Sequence, residues 1–425
     1  MAACLNSELQ EPGEAYEGAP LAAIAPIAGV VFTAFFVIGL ALPVLPLHVH
    51  DDLGMGAFVV GLVAGCQFVA SLVSRLSAGR ITDTRGPKRA VLLGLAAAVA
   101  GGTCYLLSLM FTRTPVVSVG ILLAGRSLAG GAESLIITGG ILWSLGRVAP
   151  GRAAQVIAWA GMSMFAAIAV GAPIGSLVFG KFGFFGVALA STLVPLLSIA
   201  FIAPVRSLAP VASATTPISA VLGAVLLPGA GFALSGITFG SVTVFLTLYF
   251  AVEGWAGGAL AFTAFAAVLI ATRIVAGHLP DRFGGAQVAL YCLVIQALGL
   301  GLIGAAGAGW VAILGAAIAG AGFSLVFPGL GLEAVRRVPP ANRGIAMGAY
   351  NAFLDVTLGA GSPLLGLLAG KAGIAAVFDA SAIAAILAIP IALRLRAETS
   401  RSGGARHRNV SMESDYGYMV ERGTT

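Results

Sequence analysis

The sequence predicts an all-α membrane protein, with twelve transmembrane helices in two pseudo-symmetric six-helix bundles and both termini in the cytoplasm. Three observations predict it: the scarcity of charge, twelve apolar segments of membrane length, and an internal duplication. Of 425 residues, 59% are hydrophobic and only 9% charged, whereas soluble domains carry about 25% charged residues. Seventeen acids and 23 Lys/Arg cannot coat a water-soluble body of this size, and the mean hydropathy is +1.01. A soluble enzyme is excluded. A transmembrane β-barrel would show alternating segments of about 10 residues, but the apolar runs here are long and continuous. The 59 glycines suit helices that approach one another closely in lipid.

The chain opens with a tail, 1–22, that carries Glu8, Glu11, Glu14 and Glu17. No basic residue precedes the first apolar run. A cleavable signal needs a positive n-region, so the first run is expected to be a retained span. A crossing helix needs about 20 predominantly apolar residues. Cutting the chain at its charged and Pro/Gly breaks gives six such segments near 23–46, 55–77, 88–110, 115–141, 153–178 and 184–205. A Pro/Ser/Thr-rich linker, 206–217, separates them from six more near 218–250, 256–277, 286–308, 309–333, 343–370 and 372–393. The N-terminal bundle therefore spans 23–205 and the C-terminal bundle 218–395. The polar tail 396–425 has a composition that predicts disorder.

An even number of crossings puts both termini on one side, and charge asymmetry says which. With the N-terminus inside, the interior loops and the last helix end hold thirteen Lys/Arg. These are Arg80, Arg85, Lys88, Arg89, Arg147, Arg152, Arg206, Arg282, Arg336, Arg337, Arg343, Arg394 and Arg396. The exterior loops hold Arg113, Lys181 and Lys371 alone. Positive charge collects on the cytoplasmic side.

The two halves repeat each other. The run Arg75-Leu-Ser-Ala-Gly79-Arg-Ile-Thr-Asp83-Thr-Arg-Gly86 matches Arg273-Ile-Val-Ala-Gly277-His-Leu-Pro-Asp281-Arg-Phe-Gly284 at an offset of 198. Ser134-Leu135 and Arg147 match Ser324-Leu325 and Arg337 at an offset of 190, as do Pro173 and Pro363. Parallel six-helix repeats are the sequence mark of one large transporter architecture. In the repeated loop, Asp83 is placed to meet a helix N-terminus or a loop cation. Gly79 permits close helix contact and Gly86 a tight turn. Arg80, Arg85, Lys88 and Arg89 supply cations for an inter-helix network able to latch one conformation; for Lys88 and Arg89, service to topology alone is an equal alternative.

The segment Gly79-x-x-x-Asp83-x-x-Gly86-x-Lys88-Arg89 resembles the loop 2–3 signature of the major facilitator superfamily. Residues 25–395 are similar to its bacterial YhhS/YfcJ-type exporters, through Gly79–Lys88, Gly320–Pro328 and Leu354–Pro363. Thr84 follows Asp83 where the superfamily usually has Arg or Lys, whereas Asp281-Arg282 keeps the usual order. The resemblance implies a cytoplasmic gate built from Arg75, Gly79, Asp83, Gly86, Lys88 and Arg89 and from Arg273, Gly277, Asp281 and Arg282. Arg126-x-x-x-Gly130 resembles a motif of proton-coupled members, and Gly171-Ala-Pro173-Ile-Gly175 resembles, imperfectly, an antiporter motif. The implied protein is a monomer in the bacterial inner or plasma membrane. It moves a small solute with protons by alternating access, without cofactor or nucleic acid.

Ionisable residues at membrane depth are costly and mark function. Arg126, Glu133, Asp355 and Asp379 fall inside apolar spans. Arg126 and Glu133 share one helix face, separated by roughly 10 Å along the axis. Their counterparts in the second half are Ala316 and Phe323, and Asp355 stands where the first half has Phe165. Charges that break the repeat are the stronger functional candidates. A buried carboxylate near an arginine exchanges protons as its surroundings alternate between wet and dry. Glu133 is therefore expected to carry the proton, Arg126 to tune it, and Asp355 to bind substrate or share the proton. The bland alternative is an Arg126–Glu133 pair that only fixes helix packing. Gln67 and Asn351 are the expected pocket donors, and Asp379 is expected to reach the surface.

No metal site is expected. His48-Val-His50-Asp51-Asp52 reads as a solvated exterior segment with no fourth ligand elsewhere. Cys66, Cys104 and Cys292 lie singly within apolar runs. An enzyme would need a nucleophile–base or metal cluster, and an ATP-driven pump a GxxxxGK[ST] loop; the chain has neither. Three readings remain open: an exporter, an importer or uniporter on the same fold, and a non-transporting sensor or scaffold.

Overall fold

The computed structural model describes residues 25–147, 153–207, 219–339 and 343–422. The expected tail 1–22 and most of the expected linker, from 208 onward, lie outside the described residues. The described chain is helical throughout. Among these residues, eleven helical stretches are long and apolar enough to cross a membrane.

The first half starts with α1 (Ala25–Ala41). Pro43 and Pro46 lack the N–H that an uninterrupted helix requires. The chain therefore restarts as a single turn, α2 (Leu45–Leu47), and then widens into a π-helical turn, His48–Asp52. α3 (Ala57–Arg85) and α4 (Pro87–Ser108) meet at Gly86. α5 (Pro115–Leu145) follows, then α6 (Ala153–Ile202), two helices joined across Gly183 at φ 60, ψ −162. The sequence boundary drawn between 178 and 184 coincides with that break.

The second half contains α7 (Ser219–Val252), α8 (Gly258–Ala276), a short α9 (Leu279–Phe283) and α10 (Gly285–Gly304). It closes with α11 (Gly309–Arg336), α12 (Arg343–Ala372) and α13 (Ala375–Arg422). The last helix continues through Arg422. No proline follows Pro390, and an established helix gains one hydrogen bond per added residue without a new nucleation cost.

The duplication governs the packing. α3 packs on α5 and α4 on α5, as α8 packs on α11 and α10 on α11. Gly86 turns the chain at φ 87 and Gly284 at φ 92, the left-handed region in which a side chain is strained. Ser134 Oγ donates to the Ser71 carbonyl at 2.7 Å. Its counterpart Ser324 Oγ donates to the Leu269 carbonyl, also at 2.7 Å. Gly130 lies against the Gln67 carbonyl and Gly320 against that of Phe265. Each position in these contacts has its partner at the 198 or 190 offset.

The halves meet mainly where α3 packs on α12, with further contact between α6 and α8 and between α2 and α7. The α3–α12 seam is closest at the end of the molecule away from Gly86. A Cβ on Gly61 or Gly65 would strike the Ser362 or Gly359 carbonyl, and one on Gly366 would strike that of Ala57. Small residues let the backbones touch. Thr247 Oγ1 of α7 also reaches across to the Pro43 carbonyl at 3.0 Å.

Candidate functional site

α3 presents Gln67, Ser71 and Arg75 at a spacing of four residues, which aligns them on one face. Gln67 is fully buried, and its Nε2 donates to Glu133 Oε2 on α5 at 3.0 Å. One turn along, Ser71 meets Ser134. One turn further, Arg75 crosses to the other half: its Nε donates to Asp355 Oδ2 on α12 at 2.8 Å, and its Nη2 lies 2.5 Å from the same oxygen. The ion pair is largely buried, with 24% of the Arg75 side chain exposed and 6% of that of Asp355. A pair taken out of water this far is held by mutual attraction, and removing one partner strands the other. Glu133 senses the charges of Asp355, Arg75 and Arg126 together.

Arg126 stands apart from that pairing. It is 1% exposed and donates to backbone carbonyls of α3, Val63 at 3.3 Å and Ala64 at 3.2 Å. The α3 carbonyls hold the guanidinium and Gln67 holds the Glu133 carboxylate. A cavity of about 20 Å³ lies between them, lined by Gln67, Tyr105, Arg126, Glu133 and Ser191 among others. Among the described residues, Gln67 Oε1 and Ser191 Oγ are buried without a hydrogen-bond partner. That volume accommodates a water molecule, which has polar partners here.

Asn351 lies one turn before Asp355 on α12, half-buried. It forms no hydrogen bond among the described residues. Gln67 and Asn351, paired as pocket donors from the sequence, thus serve different places. Gln67 belongs to the Glu133 cluster of the first half and Asn351 to the Asp355 side of the second.

The expected gate residues divide. Gly86 and Gly284 make the repeated turn, and Lys88 Nζ donates to the Ala203 carbonyl at the end of α6 at 2.6 Å. Gly79 does not mediate the close contact expected of it, since a Cβ there meets open space. Gly277 ends α8 and is exposed. Asp83 and Asp281 form no ion pair or hydrogen bond among the described residues, and Arg282 lies over the Phe283 ring. Arg89 is exposed. Arg75 is paired with Asp355 across the seam. Its counterpart Arg273 donates through Nη2 to the Ser324 carbonyl at 2.6 Å.

One further sequence reading changes. His48 is not part of a solvated segment. It is 1% exposed, its Nδ1 donates to Asp52 Oδ2 at 2.6 Å, and its ring stacks on Phe184 at 4.0 Å. The π-turn that follows the Pro43 and Pro46 breaks swings the imidazole inward, which alternation in the sequence does not reveal. Asp379 is exposed. Among the described residues no group of three His, Cys, Asp or Glu is arranged to hold a metal.

The fold and site together define a polytopic helical membrane protein, duplicated in scaffold and asymmetric in its buried charge. The chain belongs to the Major Facilitator Superfamily, whose family model matches residues 27–262 and 256–413, and it is a membrane transporter rather than an enzyme. It is 40% identical over 372 residues to an uncharacterized MFS-type transporter of Pseudomonas aeruginosa (strain UCBPP-PA14), covering 88% of this chain and 92% of that one. A relative of the same description in Burkholderia mallei (strain SAVP1) is 39% identical over 393 residues, covering 90% and 94%. Among solved structures, a D-xylose–proton symporter superposes with a TM-score of 0.72 at 13% identity, covering 87% of this chain and 96% of that one. A nucleoside transporter gives 0.65 at 16% identity, covering 88% and 98%. These likenesses carry the fold.

Proposed function

We propose that the protein is a proton-coupled secondary transporter of the bacterial inner membrane that exports a small solute by alternating access between its two halves. The observation that carries this reading is the pair of buried carboxylates at the seam. Glu133 on one half and Asp355 on the other are linked through α3 by Gln67 and Arg75. Both break the repeat, so the scaffold does not require them. Glu133 carries the proton, the cavity beside Arg126 supplies its water path, and Asp355 with Asn351 forms the substrate-facing side. Arg126, fixed by α3 carbonyls, provides a constant positive field at Glu133.

Twelve crossings follow when α6 is counted as two across Gly183. The positive-inside distribution then supports cytoplasmic termini and a cytoplasmic Gly86–Gly284 end. On that orientation, the close seam at Gly61, Gly65 and Gly366 supports a conformation closed toward the exterior. The Gly171–Gly175 resemblance favours export over import, and the working unit is a monomer.

The test is growth of an expressing strain across toxic compounds and carbon sources, beside Glu133→Gln at equal membrane level. Tolerance raised by the wild type and lost in the variant supports coupled export. Better growth on a nutrient, again lost in the variant, replaces export by import. Transport unchanged in Glu133→Gln overturns the proton assignment, and no flux of any compound would favour a sensor.

A further inference from the structure

We propose that Arg75 is the positioning residue that converts the protonation state of Glu133 into movement of the two halves, by passing between Asp355 and Glu133. This rests on the reading of Glu133 as proton carrier and adds a residue and a step to it. Among the described residues, four charged side chains act on one another in this region, Arg75, Arg126, Glu133 and Asp355, with the neutral Tyr105 and Cys66 beside Arg126. Arg126 is committed to the Val63 and Ala64 carbonyls within its own half. Arg75 is the cation on a seam, with part of its side chain reaching solvent, and it is the one that joins the halves.

The geometry allows the exchange. Side chains on a helix lean toward its N-terminus, so from α3 the Arg75 guanidinium reaches back toward Ser71 and Gln67, the residue that holds Glu133. Arg75 already acts electrostatically on both carboxylates. With Glu133 protonated, Asp355 is the lone carboxylate at the seam and takes Arg75, the arrangement in this structure. When the Glu133 carboxyl gives its proton to water, two buried carboxylates compete for one mobile cation, and an unpaired buried charge is strongly disfavoured. Arg75 remains protonated throughout, so the O–H bond of Glu133 is the only bond broken. Transfer of Arg75 to Glu133 cuts the tie between α3 and α12. That tie lies on the same seam as Gly61, Gly65 and Gly359, so its loss lets the seam open. Rocking of the halves then brings the Gly86 and Gly284 ends together.

The contrast with Arg273 supports the assignment. At the equivalent place in the second half, the guanidinium donates to the Ser324 carbonyl, and the positions that match Glu133 and Asp355 hold Phe323 and Phe165. The duplicated scaffold keeps the arginine, and only the first copy has been given two carboxylates to choose between.

The test reads the separation of spin labels on Thr84→Cys and His278→Cys, both exposed and at equivalent ends of α3 and α8. The full chain is placed in lipid nanodiscs with the four native cysteines replaced by alanine, and the distance distribution is followed from acid to alkaline pH. The cysteine-replaced parent is expected to show a shorter population growing as pH rises. Glu133→Gln is expected to keep the long, acid-form distance at every pH, and Asp355→Asn the short one. Arg75→Gln is expected to abolish the pH response, and Arg75→Lys to retain it with a displaced midpoint. A full pH response in Arg75→Gln overturns the proposal, and if that response is lost in Glu133→Gln, the proton-carrier reading survives without it. A pH-independent distance in the parent overturns the proposal as well. If Arg75→Gln does not fold, the opposite plateaus expected of Glu133→Gln and Asp355→Asn decide the matter; identical plateaus would overturn it.

Discussion

Glu133 and Phe323 occupy the same place in the two halves, at an offset of 190, and each is met by the residue that matches the other's partner. Glu133 accepts from Gln67. Phe323 packs on Phe265, with ring centroids 6.4 Å apart, and Phe265 stands 198 residues after Gln67. The fold accepts an apolar pair at this position. The polar pair in the first half is therefore not a requirement of packing. Burying it without further purpose would cost stability, since a carboxylate in lipid-like surroundings is expensive.

This equivalence makes the first prediction. Gln67→Met/Glu133→Met removes both polar groups with near-isosteric apolar ones, and the double variant is expected to match or exceed the parent in thermal stability. Either single change strands a buried polar group and should cost about 1–3 kcal/mol. A double-mutant cycle on detergent-solubilised protein measures the coupling, which is expected to be favourable to the pair. The variants lacking Glu133 should also lose proton-coupled flux to the background of vesicles without the protein. Coupled flux in the double variant would separate Glu133 from the proton.

The second prediction uses the repeated serine bond. Ser134→Ala and Ser324→Ala remove the same 2.7 Å contact from the two halves. Each should cost about 0.6 kcal/mol, the mean for an inter-helix hydrogen bond in a membrane, and the two effects should add because the sites are distant. The sites nevertheless differ functionally. Ser134 lies between the Glu133 and Arg75 contacts, so its loss is expected to lower transport as well, while Ser324→Ala leaves transport near the parent rate. Thermal melting and flux measured on the same preparations check both halves of the claim.

Much of this organisation was legible in the chain itself, because membrane helices and their duplication are local patterns. The spans, the break near Gly183 and the Gly86 and Gly284 turns all follow from hydropathy and from residues only glycine suits. Glu133, Arg126, Gln67 and Asp355 stood out because charge at depth needs a reason. Which residues pair with which did not, for physical causes. Arg75 and Asp355 are 280 positions apart, and their meeting depends on how two bundles dock, which no periodicity encodes. Arg126 is held by backbone carbonyls, which every residue has. Gly79 shares a motif but faces open space, since a small residue permits contact without compelling it. The inward turn of His48 depends on how the helix resumes after two prolines.

The third prediction concerns the seam. Gly65 faces the Gly359 carbonyl and Gly61 that of Ser362, so a larger side chain at either position cannot coexist with this docking. Within one half, overpacking of this kind costs about 1–3 kcal/mol of stability. Across a seam that opens during a transport cycle, the halves can part instead. Gly65→Leu is therefore expected to leave melting within about 1 kcal/mol of the parent while shifting the molecule away from the conformation described here. Gly130→Leu, whose Cβ would strike the Gln67 carbonyl inside one half, has no such escape and should be poorly expressed. Cysteine cross-linking between Phe58 and Leu364, both exposed, should fall in Gly65→Leu. Undiminished cross-linking would place the seam among the fixed interfaces.

The last prediction follows from a residue without a partner. Asp83 recurs as Asp281 at the 198 offset, yet neither carboxylate is paired among the described residues. A latch that is open here does its work when closed elsewhere in the cycle. Asp83→Asn should therefore leave this conformation untouched and weaken the opposite one. An exposed to half-buried ion pair is worth about 0.2–1 kcal/mol, so the population should move toward the present conformation by roughly 1.4- to 5-fold. Substrate affinity measured at equilibrium should change by no more than that factor, since the residue lies near the Gly86 turn and away from Asp355. The rate of the conformational step, read by stopped-flow fluorescence of a label at Thr84, should change more than affinity does. A change confined to affinity would remove Asp83 from the gate and place it on the solute's path.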